Sequence, residues 1–298
     1  VFLYIRGEMA LAHERVGQAL IDAYAKGYVG SNIMGSGWSI DVVLHWGAGA
    51  YVVGEETALL ESLEGKRAFP RIKPPFYPAA KGLYHQPTIV NNVETLSTLP
   101  WIIRHSGEEY AALGAGRSTG TRIMCLSGHV KNPGVFEACV GVTLRDIIRA
   151  HGGGVVGGAL LAVIPGGSSC PILRADDKVN APNEKSPLHP WHGKSVLDVP
   201  MGVDTFRALG TMLGTCCAIV LSDKADPVLA FQNLMRFYRH ESCGQCTPCR
   251  EGAAWLFRIL DRMAKNEAPL YELDRLSEIA DNIMGNTICA FGEGTAMP

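Results

Sequence analysis

The chain has 298 residues, of which 47% are hydrophobic, so it is long enough to bury sizeable cores and to hold two or three domains. Its 27 Lys and Arg residues nearly balance its 29 Asp and Glu residues, which excludes the basic surface that binding to a nucleic-acid backbone requires. The uncharged stretch 152–173 is broken by seven glycines and two prolines, so it lacks a continuous apolar helix of membrane-spanning length. Neither a nucleic-acid partner nor direct membrane insertion is expected.

The first part of the chain alternates between strand and helix patterns. Residues 1–5 are an apolar, β-branched run that predicts a buried strand, and residues 8–26 carry apolar positions at helical spacing, followed by Gly27 as a C-cap. Residues 40–46 predict a second strand, and strand, helix and strand in this order indicate an α/β unit. Because the chain opens inside an apolar run without Met, we expect it to be a fragment of a longer protein.

A glycine cluster, Gly47-Ala-Gly-Ala-Tyr51-Val-Val-Gly54, precedes a predicted helix over 58–63. Glycine removes the Cβ and a helix N-terminus exposes free N–H groups, so this backbone can approach a phosphate or a planar ring closely. The cluster is neither a Walker loop nor a dinucleotide fingerprint, and simple turns use glycines in the same way. The residues alone leave both interpretations open.

Charged and amide side chains follow the glycine cluster. Glu55 and Glu56 diverge by about 100° on a helix, so they suit separate contacts to one ligand, or simply a favourable first turn, rather than a hydrolytic pair. The proline-locked segment Arg71-Ile-Lys-Pro-Pro-Phe76 presents a cation and an aromatic ring, which suit a nucleotide or an ordinary surface loop. Three polar residues also precede a predicted helix over 96–104: Asn91, Asn92 and Thr95. Helix capping explains only one of the three.

The remainder of the chain changes from mixed to helical patterns. Glycine-rich residues 114–120 predict a linker, and beyond it a small α+β module is expected, with strands at 121–127, 134–138 and 160–164 and a helix at 143–150. Residues 181–192 predict a surface insertion in which two histidines, His189 and His192, are incidental rather than metal ligands. From Asp226 onward, three apolar stripes predict three amphipathic helices that close into a bundle.

Four cysteines stand out from the nine in the chain. Cys243, Cys246 and Cys249 follow one another at intervals of three in the turn after the first stripe, and Cys289 follows the last stripe. A Cys-x2-Cys-x2-Cys run with one remote cysteine is typical of a cubane iron–sulfur cluster, which predicts an electron carrier. Structural zinc usually draws on two separated Cys-x2-Cys pairs, and disulfide scaffolds are short and cysteine-dense. The other five cysteines are expected to be small buried hydrophobes: Cys125, Cys139, Cys170, Cys216 and Cys217.

Together these motifs resemble a known family. The chain is similar, over almost its whole length, to the flavoprotein subunit, or F subunit, of respiratory complex I, NADH:quinone oxidoreductase. The motifs that carry the resemblance are Gly47-Ala-Gly-Ala-Tyr-Val-Val-Gly-Glu-Glu-Thr-Ala-Leu59, Arg71-Ile-Lys-Pro-Pro-Phe76, Asn91-Asn-Val-Glu-Thr95, Ile164-Pro-Gly-Gly-Ser-Ser169, Glu241-Ser-Cys-Gly-Gln-Cys-Thr-Pro-Cys-Arg-Glu-Gly252 and Thr287-Ile-Cys-Ala290.

The resemblance implies an α/β fold class with three domains. These are a partial Rossmann-like domain for FMN and NADH over 1–116, a ubiquitin-like α+β module of the SLBB type over 117–223, and a C-terminal α-helical domain carrying a [4Fe–4S] cluster over 224–298. The implied function is hydride transfer from NADH to FMN, followed by one-electron transfer through the cluster towards quinone. The cofactors carry this chemistry, so no side chain is expected to act as a catalytic acid or base.

The resemblance also implies site residues and partners. Five residues fall where the family contacts FMN: Gly54, Glu55, Asn91, Asn92 and Thr95. Four fall where it holds NADH, with Phe76 stacking on the adenine side and Lys73 meeting the negative charge of the nucleotide: Tyr51, Glu56, Lys73 and Phe76. The four cluster ligands correspond to Cys243, Cys246, Cys249 and Cys289.

The implied partners are other subunits of the peripheral arm, especially a thioredoxin-like [2Fe–2S] subunit and the large iron–sulfur subunit. The implied location is the cytoplasmic face of a bacterial inner membrane, or the matrix side in mitochondria. The family's N-terminal FMN loop would precede Val1, so the fragment alone is expected to be inactive. Two alternatives stay open: a diaphorase subunit of a soluble NAD-linked hydrogenase or formate dehydrogenase, and a non-enzymatic assembly module stabilised by zinc.

Overall fold

The computed structural model describes residues 1–298, which divide into two compact units. The first comprises residues 1–90 and 240–250, and the second comprises residues 91–239 and 251–298.

The first unit opens with a parallel strand pair joined by a helix. Its elements are β1 (Phe2–Ile5), α1 (Ala10–Ala25), β2 (Val43–Trp46), α2 (Glu56–Leu63) and α3 (Pro78–Lys81). Parallel pairing of β1 with β2 confirms the predicted strand–helix–strand unit. The expectation that residues 1–5 are buried was wrong, because a sheet of two strands leaves each strand with an open edge, and none of these residues is buried.

The helix of this crossover ends as the sequence predicts. Gly27 has φ +68°, a conformation that glycine adopts without steric cost, and its N–H donates to the carbonyl of Tyr24. Gly7 and Gly47 serve close packing instead. A Cβ on Gly7 would lie 2.5 Å from the carbonyl oxygen of Gly47, and a Cβ on Gly47 would lie 2.6 Å from the Tyr4 hydroxyl.

The second unit contains a mixed five-stranded sheet in the order β4-β3-β7-β5-β6. Its strands are β3 (Thr121–Gly128), β4 (Gly134–Cys139), β5 (Leu160–Ile164), β6 (Leu173–Arg174) and β7 (Cys217–Ser222). β3 runs parallel to β7, while the other neighbours are antiparallel. A hairpin whose first strand pairs with the last strand of the module is the ubiquitin-like arrangement that was predicted.

This part of the second unit has four α-helices, of which only the first is longer than six residues. They are α4 (Val93–Arg104), α5 (Gly107–Ala112), α6 (Leu144–Asp146) and α7 (Val203–Ala208). The predicted helix over 143–150 is α6 continued by a π-helical turn, Ile147–His151, and it packs its buried apolar side chains on the sheet.

The insertion predicted over 181–192 is not wholly superficial. Ala181 and Leu188 are 5% and 4% exposed and belong to the core of the sheet. Two imidazole nitrogens bind the backbone of Ala181, since His192 Nδ1 accepts from its N–H at 3.0 Å and His189 Nδ1 lies 3.2 Å from its carbonyl oxygen. Both histidines therefore hold the loop.

Four helices end the chain: α8 (Pro227–Glu241), α9 (Thr247–Ala264), α10 (Tyr271–Ile283) and α11 (Ala290–Ala296). The three predicted amphipathic helices are α8, α9 and α10, and they share an apolar core that includes Met235, Tyr238, Leu256, Leu260 and Ile283. The short α11, which the stripes did not predict, packs Phe291 and Ala296 against this core. None of the helices combines the length and apolarity that crossing a membrane requires.

Candidate functional site

Glu55 caps the helix that follows the glycine cluster. Its Oε2 accepts the backbone N–H groups of Thr57 and Ala58, each at 2.9 Å, and also a short hydrogen bond from the Thr57 hydroxyl. Burial raises the pKa of this carboxyl, but these bonds and the nearby Lys73 lower it below its ordinary value on balance. Glu55 is therefore held as an anion, and α2 begins two residues earlier than predicted.

Lys73 joins the two adjacent carboxylates. Its Nζ lies 3.1 Å from Glu55 Oε1 and 2.6 Å from Glu56 Oε1, while its side chain is 29% exposed. Burial lowers the pKa of Lys73, but the hydrogen bonds with Glu56 and Glu55 raise it overall. The structure thus brings together three of the predicted ligand residues as a partly accessible cation between two anions.

Arg71 anchors the segment that carries Lys73 and Phe76, here called the nucleotide segment (residues 71–76). Its guanidinium is 6% exposed and binds Glu61 at 2.5 Å and Glu64 at 2.8 Å, both on or next to α2, as well as the carbonyl oxygen of Gly82 at 2.8 Å. Burial raises the pKa of Glu64, yet hydrogen bonds from Lys66, Arg71 and the backbone of Tyr84 lower it to about 2.

The sequence did not predict the anchoring role of Arg71, because the segment 71–76 was interpreted only as one that presents a cation and an aromatic ring. A usable signal was present: Glu61 and Glu64 are three residues apart and therefore share one face of the helical turn. A buried arginine needs such partners.

Phe76 is half-buried beside a cavity of about 380 Å³. Its ring lies 6.2 Å from the imidazole of His85, and the Lys81 ammonium lies 5.9 Å from its centroid. The cavity is also lined by Ile72 and by Gln245, whose buried Oε1 has no hydrogen-bond partner. An aromatic ring at a cavity edge suits the predicted stacking on a planar base.

Tyr51 and Gly54 are the first and last residues of a 3₁₀ turn whose two central valines are buried. The Tyr51 N–H donates to Glu241 Oε2 at 3.2 Å, and the Arg6 guanidinium lies 5.1 Å from the centre of its ring. A Cβ on Gly54 would meet nothing within 4 Å, so a planar ligand has room to approach the backbone there. This open approach fits a flavin.

Asn91, Asn92 and Thr95 lie at the start of α4 and are exposed. Asn92 is the N-cap of this helix, because its Oδ1 accepts the N–H of Glu94 at 2.8 Å. Capping therefore explains one of the three, as the sequence indicated. Asn92 also lines a cavity of about 450 Å³ together with Arg122.

Three of the predicted cluster ligands lie on one loop. Cys243 and Cys246 precede α9, and the buried Cys249 lies in its first turn. Gly244 turns the loop with φ +80°. The Arg67 and Arg250 guanidinium groups donate to the carbonyl oxygens of Cys243 and Gly244, at 3.2 and 3.0 Å.

Cys289 is the N-cap of α11 in the second unit. As the side chains stand, no group of three or more His, Cys, Asp or Glu residues is close enough together to hold a metal ion, so the four-cysteine set stays a prediction. The donor set nevertheless fits a cluster, since thiolates are the ligands that iron–sulfur cubanes take and the loop presents three of them at the spacing such clusters use.

The other cysteines are mostly inert. Burial raises the pKa of both Cys170 and Cys216 to about 11, which keeps them as thiols. Cys125 and Cys217 are half-buried neighbours on β3 and β7. The expectation that all five are buried therefore holds for Cys170 and Cys216 alone. Cys139 is exposed because it ends the edge strand β4.

A glycine turn with open space beside it, a cation held between carboxylates and a run of three cysteines are the features expected of an iron–sulfur flavoprotein. Three family models match the chain: the Nuo51 FMN-binding domain over residues 1–101, the SLBB domain over 122–190, and the NADH-ubiquinone oxidoreductase-F iron–sulfur binding region over 229–298.

Among curated proteins, the chain is 45% identical to the F subunit of NADH-quinone oxidoreductase from Rickettsia bellii (strain OSU 85-389) and 43% identical to that from Rhodobacter capsulatus. Both alignments cover 100% of this chain, and they cover 67% and 65% of the relatives. The chain belongs to the family of NADH-quinone oxidoreductase F subunits.

A solved structure is also similar. An NAD+-reducing [NiFe]-hydrogenase in the H2-reduced state aligns with a TM-score of 0.81 and 31% identity, covering 100% of this chain and 46% of the hydrogenase chain.

These matches confirm the predicted fold class, with its FMN-binding, SLBB and iron–sulfur regions, and the predicted cofactors FMN and [4Fe–4S]. They also confirm the function class, that of an NADH-oxidising electron-input subunit, and the setting of a multi-subunit complex. The assignment of individual ligand residues and the three domain boundaries stay predictions.

Proposed function

We propose that this chain is the part of a complex I flavoprotein subunit that binds the nucleotide and relays electrons to a [4Fe–4S] cluster. The observation that carries the proposal is the Lys73 ammonium, bound to Glu55 and Glu56 beside a glycine that leaves room for a flavin. The chemistry that the cofactors supply when bound is hydride acceptance from NADH by FMN and one-electron transfer from FMN to the cluster.

The side chains of the nucleotide segment bind and orient NADH. Lys73 attracts the negatively charged nucleotide, and its partners Glu55 and Glu56 keep the ammonium in place until a phosphate or ribose competes for it. Phe76 stacks on the adenine side, and Tyr51 contributes a second aromatic contact. Glu56, whose side chain is 42% exposed, can accept a hydrogen bond from a sugar hydroxyl.

The flavin is held by backbone more than by charge. Gly54 permits close approach of the planar ring, and Asn91, Asn92 and Thr95 offer exposed amide and hydroxyl groups to its polar edge. Glu55 contributes through its fixed anionic position. Cys243, Cys246, Cys249 and Cys289 are the proposed cluster ligands, and Arg67 and Arg250 hold two carbonyls of the cysteine loop in place.

The partners we propose are the thioredoxin-like [2Fe–2S] subunit and the large iron–sulfur subunit, in a peripheral arm on the cytoplasmic face of a bacterial membrane or on the matrix side in mitochondria. A diaphorase subunit of a soluble hydrogenase is the second candidate, and it is favoured by the similarity to the NAD+-reducing [NiFe]-hydrogenase. Co-purification of the full-length protein with either set of subunits separates the two.

Lys73→Met tests the nucleotide role in the full-length holoenzyme. Losing a charge-assisted bond to the nucleotide is expected to raise the KM for NADH about tenfold, with ferricyanide as acceptor and kcat within about twofold. Lys185→Met, which changes an exposed lysine in the second unit, is the matched control and should leave KM unchanged. An unchanged KM in Lys73→Met would refute the nucleotide role.

Gly54→Ala tests the flavin role. A Cβ there meets nothing, so the variant is expected to purify with less FMN while its FMN-free form keeps the melting temperature of the FMN-free wild type. Full retention of FMN at the wild-type affinity would contradict this part of the proposal.

A further inference from the structure

We propose that Thr57 is a positioning residue that ties the nucleotide segment to the carboxylate of Glu55. This inference rests on the proposed function, because it concerns how Lys73 and Phe76 are held for the nucleotide. Because Thr57 is buried, it acts through these residues rather than by touching a ligand.

Thr57 is fully buried, at 0% exposure, in the first turn of α2. Its hydroxyl donates a short hydrogen bond to Glu55 Oε2 and accepts the backbone N–H of Arg71 at 2.8 Å. A hydroxyl has one proton to donate, and here the donor and an acceptor site are both used between two different chain segments. Valine has the same shape and can make neither bond.

These bonds close a ring of contacts. Thr57 holds the Arg71 backbone, Lys73 lies two residues further on, and the Lys73 ammonium returns to Glu55 Oε1 at 3.1 Å. Glu55 is therefore hydrogen-bonded through Oε2 to α2 and through Oε1 to the nucleotide segment. Removing the hydroxyl leaves the N–H of Arg71 without its acceptor and releases one constraint on Glu55, so both ends of the ring shift together.

The Arg71 side chain fixes the same segment by a separate route, through Glu61 and Glu64. The segment is thus anchored even without Thr57, and loss of the hydroxyl is expected to misplace Lys73 rather than unfold the segment. If Thr57 had only a structural role, its substitution would lower the stability of the protein without changing the KM for NADH.

The test compares Thr57→Val, Thr57→Ser and Lys73→Met in the full-length holoenzyme, using NADH and ferricyanide. Thr57→Val is expected to raise the KM for NADH about tenfold with kcat within about twofold, because a buried N–H loses its acceptor and Lys73 loses its alignment. Thr57→Ser, which keeps the hydroxyl, should restore the wild-type KM to within about twofold. In the double variant Thr57→Val/Lys73→Met the two effects should not add, because one acts through the other.

Thr205→Val is the matched control, since the Thr205 hydroxyl also donates inside the fold, to the carbonyl oxygen of Pro200 at 2.8 Å, but in the second unit. It should leave KM unchanged. If Thr57→Val does not fold, Thr57→Cys replaces it, because a thiol is a weaker donor and acceptor; an intermediate KM is then expected.

A wild-type KM in Thr57→Val or Thr57→Cys, or an equal increase in Thr57→Ser and Thr57→Val, would overturn the positioning role. If Lys73→Met raises KM while Thr57→Val does not, only this inference fails. If Lys73→Met itself leaves KM unchanged, the proposed function fails first.

Discussion

Replacing Arg71 with methionine removes the anchor of the nucleotide segment and leaves Glu61 and Glu64 with the more exposed Lys66 as their remaining cation. The Arg71, Glu61 and Glu64 side chains are 6%, 18% and 4% exposed, so solvent screens their interaction little. Breaking such a buried pair from one side costs about 3–5 kcal/mol. The lowering of the Glu64 pKa from 4.5 to about 2 corresponds to a similar value, about 3 kcal/mol, part of which comes from Lys66.

The assay is hydrogen–deuterium exchange of peptides that cover residues 67–86 in the full-length protein, read by mass spectrometry. A loss of about 3 kcal/mol raises the population of the detached segment about a hundredfold, so its protected amides should exchange about a hundred times faster. The backbone N–H of Tyr84, bound to Glu64 at 2.7 Å, should be among them.

The matched control is Arg174→Met, because Arg174 and its partner Asp176 are 65% and 71% exposed and such surface pairs contribute at most about 1 kcal/mol. In Arg174→Met, the peptides that cover residues 174–176 should exchange at nearly the wild-type rate. Equal protection of residues 67–86 in Arg71→Met and the wild type would show that the buried pairs do not hold this segment.

Three further outcomes are expected. Glu64→Gln should lower the free energy of unfolding by about 3 kcal/mol at pH 7. Because the folded-state pKa of Glu64 is depressed, its contribution to stability is present above pH 4.5 and is lost as the pH falls through about 2. The acid unfolding curves of variant and wild type should therefore converge near that pH. Gly7→Ala should lower the melting temperature, since its Cβ would lie 2.5 Å from the carbonyl oxygen of Gly47, and a melting temperature equal to that of the wild type would contradict this packing. Cys139→Ser should keep the iron and sulfide content of the wild type, since this exposed cysteine is outside the proposed ligand set; loss of the cluster would show otherwise.

The helices and strands were predicted well where the apolar pattern of the segment itself indicates its structure. A continuous apolar run bounded by glycine and proline located the β5 strand, Leu160–Ile164, to the residue, and the three stripes predicted α8, α9 and α10. The burial of residues 1–5 could not be read in the same way. An apolar run looks identical whether a strand has one neighbour or two, and β1 has only β2.

The site residues could be predicted where their spacing in the sequence indicates a chemical role. They could not be predicted where the role depends on contacts between distant parts of the chain. The cysteine run and the pair Glu55-Glu56 are local patterns with a chemical meaning. The Arg71 guanidinium reaches Glu61 and Glu64 only when α2 and the nucleotide segment pack together. The same packing forms the hydrogen bond from the backbone N–H of Arg71 to the Thr57 hydroxyl, across 14 positions of sequence. No propensity or motif encodes that contact, so only the structure reveals it.

The most direct test of electron input through the cluster is low-temperature EPR of the full-length protein, reduced anaerobically with NADH, in wild type and Cys246→Ser. Metal and sulfide analysis of the wild type is predicted to find about four iron and four sulfide for the cluster of this chain. Its EPR spectrum is predicted to develop the signal of a reduced cubane on addition of NADH. Cys246→Ser is predicted to lose that signal while it keeps FMN. Stoichiometric zinc without sulfide in the wild type, or an intact cubane signal in Cys246→Ser, would contradict the account.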